Sequence, residues 1–405
     1  MKVLQINCEY KTGSTGKIVD CLNQGLKKSG NDVFTCYGLH KHPDDGESEC
    51  ICSPNEHRVN ALLARITGVP YGGWYKANKR FERIIAKFRP DIVHVHCING
   101  YTINIYNLLY FLGTNNIKTV VTLHAEFFFT GGCSHSYECT QWIKGCKECP
   151  VFRQTVSSWF FDKAETSWKK MYSAFSSFKP ENITIVTVSP WLEDRARQSA
   201  ILGRFNIVSI GNGVNTEVFK YTASDHSDVL RNNYQFHLLF VTAYFSLEKD
   251  DAKGGKFLVE LAKLCPDYCF YVVARKINCS IEDLPKNVVL YGSTNNQNEL
   301  ASLYSTMDCS ITFGKRETFS MIVAESLCCG TPVVGFKAGG PESIGIPIYS
   351  DFVDYGDIYA FKDAVNRMIS KEKIKLSVSD LAKKEYADSF MVQRYLDVYK
   401  GMIEN

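Results

Sequence analysis

The sequence predicts an α/β protein of two Rossmann-like domains facing across a central cleft. Three observations carry this. The chain has 405 residues, more than one core comfortably organises and suited to two domains of roughly 200 residues each. Apolar runs of strand length alternate with amphipathic runs of helix length, the pattern of a mostly parallel sheet with covering helices. The alternation stops in a polar stretch, FKYTASDHSDVLRNNYQ (219–235), and then starts again.

In the first half, VLQIN (3–7) reads as a strand, Lys11–Gly16 as a glycine-serine turn, and KIVDCLNQGLKKSG as a helix stopped at Gly30. NDVFTCYG, DIVHVHC (91–97), TVVTLHA (119–125), NITIVTVS (182–189) and FNIVSIG (205–211) read as further strands. In the second half, HLLFVTAYF (237–245), YCFYVVAR, NVVLYG, DCSITFG (308–314) and TPVVGFK (331–337) are strands, and GGKFLVELAKLC and NELASLYSTM are helices. The predicted division is 1–215, 216–385 and a last helix over 386–405 that packs back on the N-terminal domain. Ligands of such sheets bind beyond the carboxyl ends of the strands, so the residues that follow strands draw attention.

Net charge is +3, which favours no polyanionic partner; no nucleic acid is expected. MKVLQINCEY reads as a buried strand rather than a leader, and no apolar run reaches the roughly 18 residues that span a bilayer. The expected place is the cytoplasm, with the inner face of the cell membrane a further option. Most of the 16 cysteines sit singly in apolar segments, where a free thiol acts as a small hydrophobe.

The stretch GKRETFSMIVAESLCCGTPVVGFKAGGPESI (314–344) is the most informative. Glu317 follows a strand and precedes a helix that starts near Ser320. Such a start offers unpaired N–H groups and seats a phosphate. Glu325 stands among Ile322, Val323, Ala324 and Leu327, where a carboxylate needs partners; a ribose diol would supply them. Taken singly, each glutamate also reads as a solvated surface group, and Gly339–Gly340 as a tight turn.

Together these residues resemble the donor-binding segment of glycosyltransferase family 4, the retaining, nucleotide-sugar-dependent enzymes of the GT-B fold. The family pairs two glutamates with seven residues between, then continues into a Gly-Thr-Pro-Val strand and a Gly-Gly turn, as CCGTPVVGFKAGGPES does. The likeness to bacterial capsule and exopolysaccharide enzymes with a cysteine-rich insert spans the chain. It implies that Glu325 holds the ribose hydroxyls of the donor and Glu317 the sugar hydroxyls. Phe319 and Ser320 present backbone N–H groups to the diphosphate, and Lys253 in DAKGG neutralises the leaving diphosphate. Asn212 in GNGVNTEVF (211–219) lines the donor site. The family's arginine six residues before the lysine is Leu247 here; Arg316, Lys249 or Arg275 would supply the second charge.

KTGSTGK (11–17) lacks the spacing of a Walker A loop; by the resemblance, Gly13 and Gly16 let the backbone approach sugar and phosphate. His94 and His96 lie two apart on one strand, and His94 reads as a half-buried structural residue. His124 takes the position of the family histidine that faces the donor sugar, followed by Ala125 where aspartate is usual. His124, Glu317 and Lys253 are thus the catalytic candidates. The family's front-side attack needs positioning and electrostatics rather than an acid–base pair, so no cofactor and no catalytic metal are expected.

GGCSHSYECTQWIKGCKECP places Cys133, Cys139, Cys146 and Cys149 within 17 residues, in an insert over about 131–150. Four thiolates suit a closed structural zinc site; a redox pair at 146 and 149 or disulfides are the alternatives. Between Arg58 and Arg89, eight Lys/Arg face one acid, with Tyr71, Trp74 and Tyr75 among them. This reads as a basic helix for an anionic bilayer surface, or equally as a solvated helix packed through Phe81, Ile84, Ile85 and Phe88. Residues 160–175 are a second candidate for acceptor contact. The expected function is transfer of a hexose-type sugar from a UDP- or GDP-sugar to a glycan or lipid-diphosphate-linked acceptor in surface polysaccharide synthesis. The alternatives are a non-catalytic sugar-nucleotide-binding protein and a sugar-nucleotide 2-epimerase of the same fold.

Overall fold

The computed structural model describes residues 1–405 except 40, 41, 43, 44, 75, 154–157, 224–229, 231, 232, 249, 250, 371–374 and 405. Two units emerge: Met1–Gly211 with Met391–Asn405, and Asn212–Phe390.

The first unit is built on seven strands: β1 (Lys2–Asn7), β2 (Asp32–Tyr37), β3 (Ser48–Cys50), β4 (Ile92–Val95), β5 (Thr119–Leu123), β6 (Ile183–Thr187) and β7 (Asn206–Ser209). They form one parallel sheet in the order β3-β2-β1-β4-β5-β6-β7. β4, β5 and β6 are buried at every position. Helices cover both faces of such a sheet, so its strands read as continuous apolar runs rather than alternating ones. The helix Asp388–Glu404 ends the chain. Its Met391, Val392, Tyr395, Leu396 and Tyr399 join Val3, Ile18, Leu22 and Val120 in the core of this unit. Gly25 is where it meets the helix Gly13–Lys28: a Cβ there would lie 2.4 Å from the Val392 side chain.

The second unit repeats the plan with β8 (Phe236–Ser246), β9 (Tyr268–Asn278), β10 (Val288–Gly292), β11 (Cys309–Thr312), β12 (Val333–Phe336) and β13 (Ser350–Val353). All pairs are parallel, in the order β10-β9-β8-β11-β12-β13. Aromatic rings fill its core; Phe313 packs on Phe361 with centroids 4.7 Å apart. In both sheets the strand order reverses beside the first strand, and loops diverge at such a switch point to leave a crevice at the strand ends.

Two expectations change. The turn predicted over Lys11–Gly16 is shorter, because the helix already begins at Gly13. The single basic helix over 58–89 is two helices, Pro54–Thr67 and Lys76–Phe88. The first is closed by Gly68, whose φ of 74° is the left-handed value glycine adopts without steric cost.

His94, expected half-buried, has no exposed surface. Its Nε2 meets Thr122 Oγ1 at 2.7 Å and its Nδ1 meets Tyr399 Oη at 2.6 Å. Thr122 in turn meets Tyr395 Oη at 2.9 Å. The last helix is therefore joined to β4 and β5 by hydrogen bonds as well as by packing. Tyr399→Phe keeps the ring and leaves a buried imidazole nitrogen unsatisfied; it is expected to cost about 1–3 kcal/mol, read as a lower urea midpoint.

Candidate active site

In the second unit the switch point lies between β8 and β11, and the loops after these two strands carry the predicted donor residues. After β8, Asp251 accepts the N–H groups of Lys253 (3.0 Å) and Gly255 (3.1 Å). This turn starts the helix Gly255–Leu264 and sets Lys253 at its entrance. Gly255 is required by space, since a Cβ would stand 2.3 Å from the Ser246 carbonyl oxygen. After β11, Lys315 N–H donates to the Ala252 carbonyl at 3.1 Å, tying the two loops together. Lys253 Nζ then meets Glu317 Oε1 at 2.8 Å.

Glu317 is held by backbone on both sides. Its N–H donates to the Ala338 carbonyl at 3.0 Å and its carbonyl accepts from Gly340 N–H at 2.8 Å. A Cβ on Gly340 would stand 2.4 Å from the Thr318 carbonyl carbon. The glycine pair is thus a close approach of two backbones, and Glu342 caps it by accepting the N–H groups of Ala338 and Gly339. Phe319 is buried below.

Ser320 precedes the helix Met321–Cys328 at φ 87°, a strained value for a residue with a side chain. It is 8 % exposed, and its Oγ is buried with no hydrogen-bond partner. Its side chain does not cap the helix. A buried hydroxyl without a partner and a helix N-terminus without a side-chain cap share one spot and suit an anion. Glu325 lies half-buried on the same helix. Burial first, and then the nearby Glu325 carboxylate, push the Tyr304 phenol well up.

Leu247 packs against the core of this unit, which accounts for an apolar residue there. Of the residues considered for a second charge, Arg316 adjoins Glu317, Arg275 is exposed near the end of β9, and Lys249 lies outside the described residues. Asn212 is buried at the start of the unit.

In the first unit the sheet reverses between β1 and β4. Gly13, at φ 66°, and Gly16 occupy the first turn of the helix that follows β1, which carries no acidic residue there. His124 follows β5. Its Nε2 meets His96 Nδ1 at 3.3 Å, and His96 Nε2 meets Gln5 Oε1 at 2.7 Å. The amide orientations set the direction of this chain. Asn23 Nδ2 donates to Tyr10 Oη and Thr35 Oγ1, and Asn23 Oδ1 accepts from Gln5 Nε2. Gln5 Oε1 therefore accepts from His96 Nε2–H. The lone pair of His96 Nδ1 then accepts from His124 Nε2–H. Gln5 and His96 hold His124 in one tautomer, with its lone pair on Nδ1. Burial pushes His124 down to about 4 and His96 and His94 well below the usual imidazole range. All three are neutral at pH 7.

Glu126 was missed in the sequence, where nothing sets it apart from other acids after a strand. It has no exposed surface. It pairs with Arg195 Nε at 2.5 Å and accepts from the N–H and Oγ of Ser136. Arg195 stacks on Trp142, 4.5 Å from the ring centroid. This buried pair anchors the cysteine-rich insert. Cys133, Cys139, Cys146 and Cys149 line one small cavity with Thr130, Gly131 and Trp142. None of the 16 cysteines is in a disulfide, and Gly131 N–H donates to Cys146 Sγ at 3.2 Å. Among the described residues, no three His, Cys, Asp or Glu form a group ready to hold a metal ion.

Two outcomes are expected. Glu126→Ala strands the Arg195 charge and should lower stability by about 3–5 kcal/mol in urea unfolding. The histidines make the first unit acid-sensitive. Their folded values lie below the unfolded one near 6.5, so the unfolded chain binds more protons below that pH. Stability is full above about pH 6.5 and falls with pH, for His124 through about 4. Urea midpoints measured across this window should fall, and less steeply in His96→Gln.

Residues 276–385 match the family described as Glycosyl transferases group 1, and residues 16–218 match Glycosyltransferase Family 4, half of the chain. The chain is 24 % identical over 136 residues to N-acetyl-alpha-D-glucosaminyl L-malate synthase of Bacillus anthracis, covering 33 % of this chain and 34 % of that protein. It is 25 % identical over 174 residues to an uncharacterized 41.2 kDa protein in the cps region of Klebsiella pneumoniae, covering 41 % and 47 %. The matches thus span about a third to a half of these relatives' lengths. In fold it is similar to sucrose-phosphate synthase (tll1590) from Thermosynechococcus elongatus, with a TM-score of 0.72 at 15 % identity over 100 % of this chain and 99 % of that one. It is also similar to Anabaena Alr3699/HepE in complex with UDP, with a TM-score of 0.63 at 15 % identity over 99 % and 100 %. These likenesses show the two-domain GT-B architecture. The chain belongs to glycosyltransferase family 4.

Proposed function

We propose that the chain is a retaining glycosyltransferase that moves a hexose-type sugar from a UDP- or GDP-sugar to a hydroxyl of a glycan or lipid-linked acceptor. The observation that carries this is the Lys253–Glu317 pair at the switch point of the second sheet, beside the strained, unpartnered Ser320 at a helix start. Phosphates suit that N-terminus, with Lys253 and Arg316 as their countercharges. Glu317 takes the sugar hydroxyls and Glu325 the ribose diol. Asn212, Gly13 and Gly16 complete the donor contacts. HepE binds UDP in its complex, which favours that base here, and the cps-region relative favours surface polysaccharide synthesis.

The bond from the anomeric carbon to the leaving phosphate oxygen breaks as the bond to the acceptor oxygen forms on the same face. The acceptor proton passes to the leaving phosphate. Lys253 stabilises the charge that develops there. His124, neutral and held by His96, serves as a hydrogen-bonding partner of the sugar rather than as a proton carrier. Lys253 touches Glu317 before donor binds, so the donor must draw the ammonium toward phosphate and leave the carboxylate to the sugar.

Calorimetric titration with UDP, GDP and their sugar conjugates tests this. One nucleotide should bind, with at least about tenfold loss in Glu325→Ala, equivalent to about 1.4 kcal/mol or more. Lys253→Ala should lower kcat by about 10²–10³-fold while nucleotide binding persists. No binding by the natural chain would overturn the transferase reading. Binding without turnover would favour the non-catalytic alternative, for which Leu247 and Ala125 speak.

The zinc proposal for Cys133, Cys139, Cys146 and Cys149 rests on their shared cavity and on thiols outside any disulfide. It requires the sulfurs to draw together. Metal analysis of the purified protein should find zinc that is lost in Cys146→Ser; four titratable thiols without metal would overturn it.

A further inference from the structure

The sequence points to residues 58–89 for contact with a membrane, and part of that segment is engaged within the fold. Tyr71 is buried and donates its hydroxyl to the Gly132 carbonyl at 2.8 Å. Arg80 is paired with Glu56, and Lys79 with Glu82. Tyr75 lies outside the described residues.

The end of this segment's first helix, with the turn packed on it, stands out. Trp159, Phe160 and Phe161 are 51, 62 and 53 % exposed, three consecutive large aromatic side chains facing water. They do not belong to a loose end. Trp159 N–H donates to the Arg65 carbonyl at 2.8 Å. Ser158 Oγ donates to the Phe161 carbonyl at 2.8 Å and closes the turn. Gly68 leaves space for that carbonyl, since a Cβ would stand 2.4 Å from it. Backbone contacts thus fix the tip against the end of the helix Pro54–Thr67, whose Leu62 and Ile66, one turn apart, are exposed as well.

The tip is ringed by cations. The Arg65 guanidinium lies 6.0 Å from the Trp159 ring centroid, and Lys163 Nζ lies 5.8 Å from that of Phe161. Arg153 donates to the Trp159 carbonyl at 3.4 Å. The neighbouring carboxylates are engaged: Asp162 accepts the N–H groups of Cys149 and Ala164, and Glu165 pairs with Lys169 at 2.8 Å. Aromatic rings favour the boundary between headgroups and acyl chains, and cations beside them favour anionic headgroups.

We propose that this face docks reversibly on an anionic lipid bilayer. Trp159, Phe160 and Phe161 enter the interface, and Arg65, Arg153 and Lys163 meet the headgroup phosphates. The proposal stands on the surface alone and needs no donor or acceptor chemistry. No helix among the described residues is long and apolar enough to cross a membrane; docking by such a tip does not require one.

Co-sedimentation of the full chain with vesicles tests it. The chain should pellet with phosphatidylcholine–phosphatidylglycerol vesicles and much less with phosphatidylcholine alone, and added salt should weaken binding. Phe160→Ser with Phe161→Ser should reduce binding at least about tenfold. Arg65→Gln with Lys163→Gln should remove the preference for phosphatidylglycerol. Unchanged circular dichroism and nucleotide titration would show that these variants fold. No binding to either vesicle would overturn the proposal, as would binding indifferent to the aromatic pair. Concentration-dependent dimerisation abolished by the same pair would overturn it in favour of a second copy as the occupant. Nucleotide titration is read separately, so failure here and failure of the donor reading are distinguishable.

Discussion

Parallel strand pairing imposes the constraint on which everything else rests. Each sheet begins with a strand that ends up internal, so the chain must wind first to one side and then to the other. Where the winding reverses, the loops after two adjacent strands part instead of crossing. In the second unit these loops are 247–254 and 313–320, and they bring Lys253 to Glu317 although 64 residues separate them. In the first unit the corresponding strands are β1 and β4, which carry Gln5 and His94 side by side in register. Both crevices are products of backbone topology before any side chain is considered.

At the crevice of the second unit the fold holds an unsatisfied group in place. Ser320 holds a strained φ beside a helix start, with a buried hydroxyl that lacks a partner. Folding disfavours such an arrangement unless surrounding contacts enforce it. Just before Ser320, Gly340 approaches the 318–319 peptide so closely that a Cβ would not fit. The first unit does the opposite: Asn23, Gln5 and His96 satisfy one another in sequence and leave His124 oriented. One site is poised to gain partners, and the other is organised in advance. Preorganisation of both kinds matters most in chemistry that depends on positioning and electrostatics.

The cysteine-rich insert shows how an irregular segment is kept in place. Its one regular element is the short 3₁₀ turn Gln141–Ile143, so the backbone ladder does little for it. The buried Glu126–Arg195 pair, the Arg195–Trp142 stack and the fully buried Trp142 do more. The segment after it, near Cys149, is tied through Asp162 to the exposed aromatic turn.

The two-fold alternation of strands and helices was legible in the residues alone, because strands buried on both faces must be apolar throughout. The strand-to-helix segments that carry Glu317, Glu325, Lys253 and His124 were legible too, because that order is a local property, and the resemblance to the family is what singled out these four residues within them. β3 and β13 were not: they are short edge strands whose residues SEC and SDFV have no apolar run. Folding in three dimensions was needed to join His94 to Tyr399 across 305 residues, to let His96 and Gln5 set the tautomer of His124, and to bring Glu126 to Arg195. It also put Tyr71 inside and Phe160 outside. The reason is common to all of these. Pairing between side chains distant along the chain, and exposure at a turn, follow from where strands lie in a sheet, which periodicity does not encode.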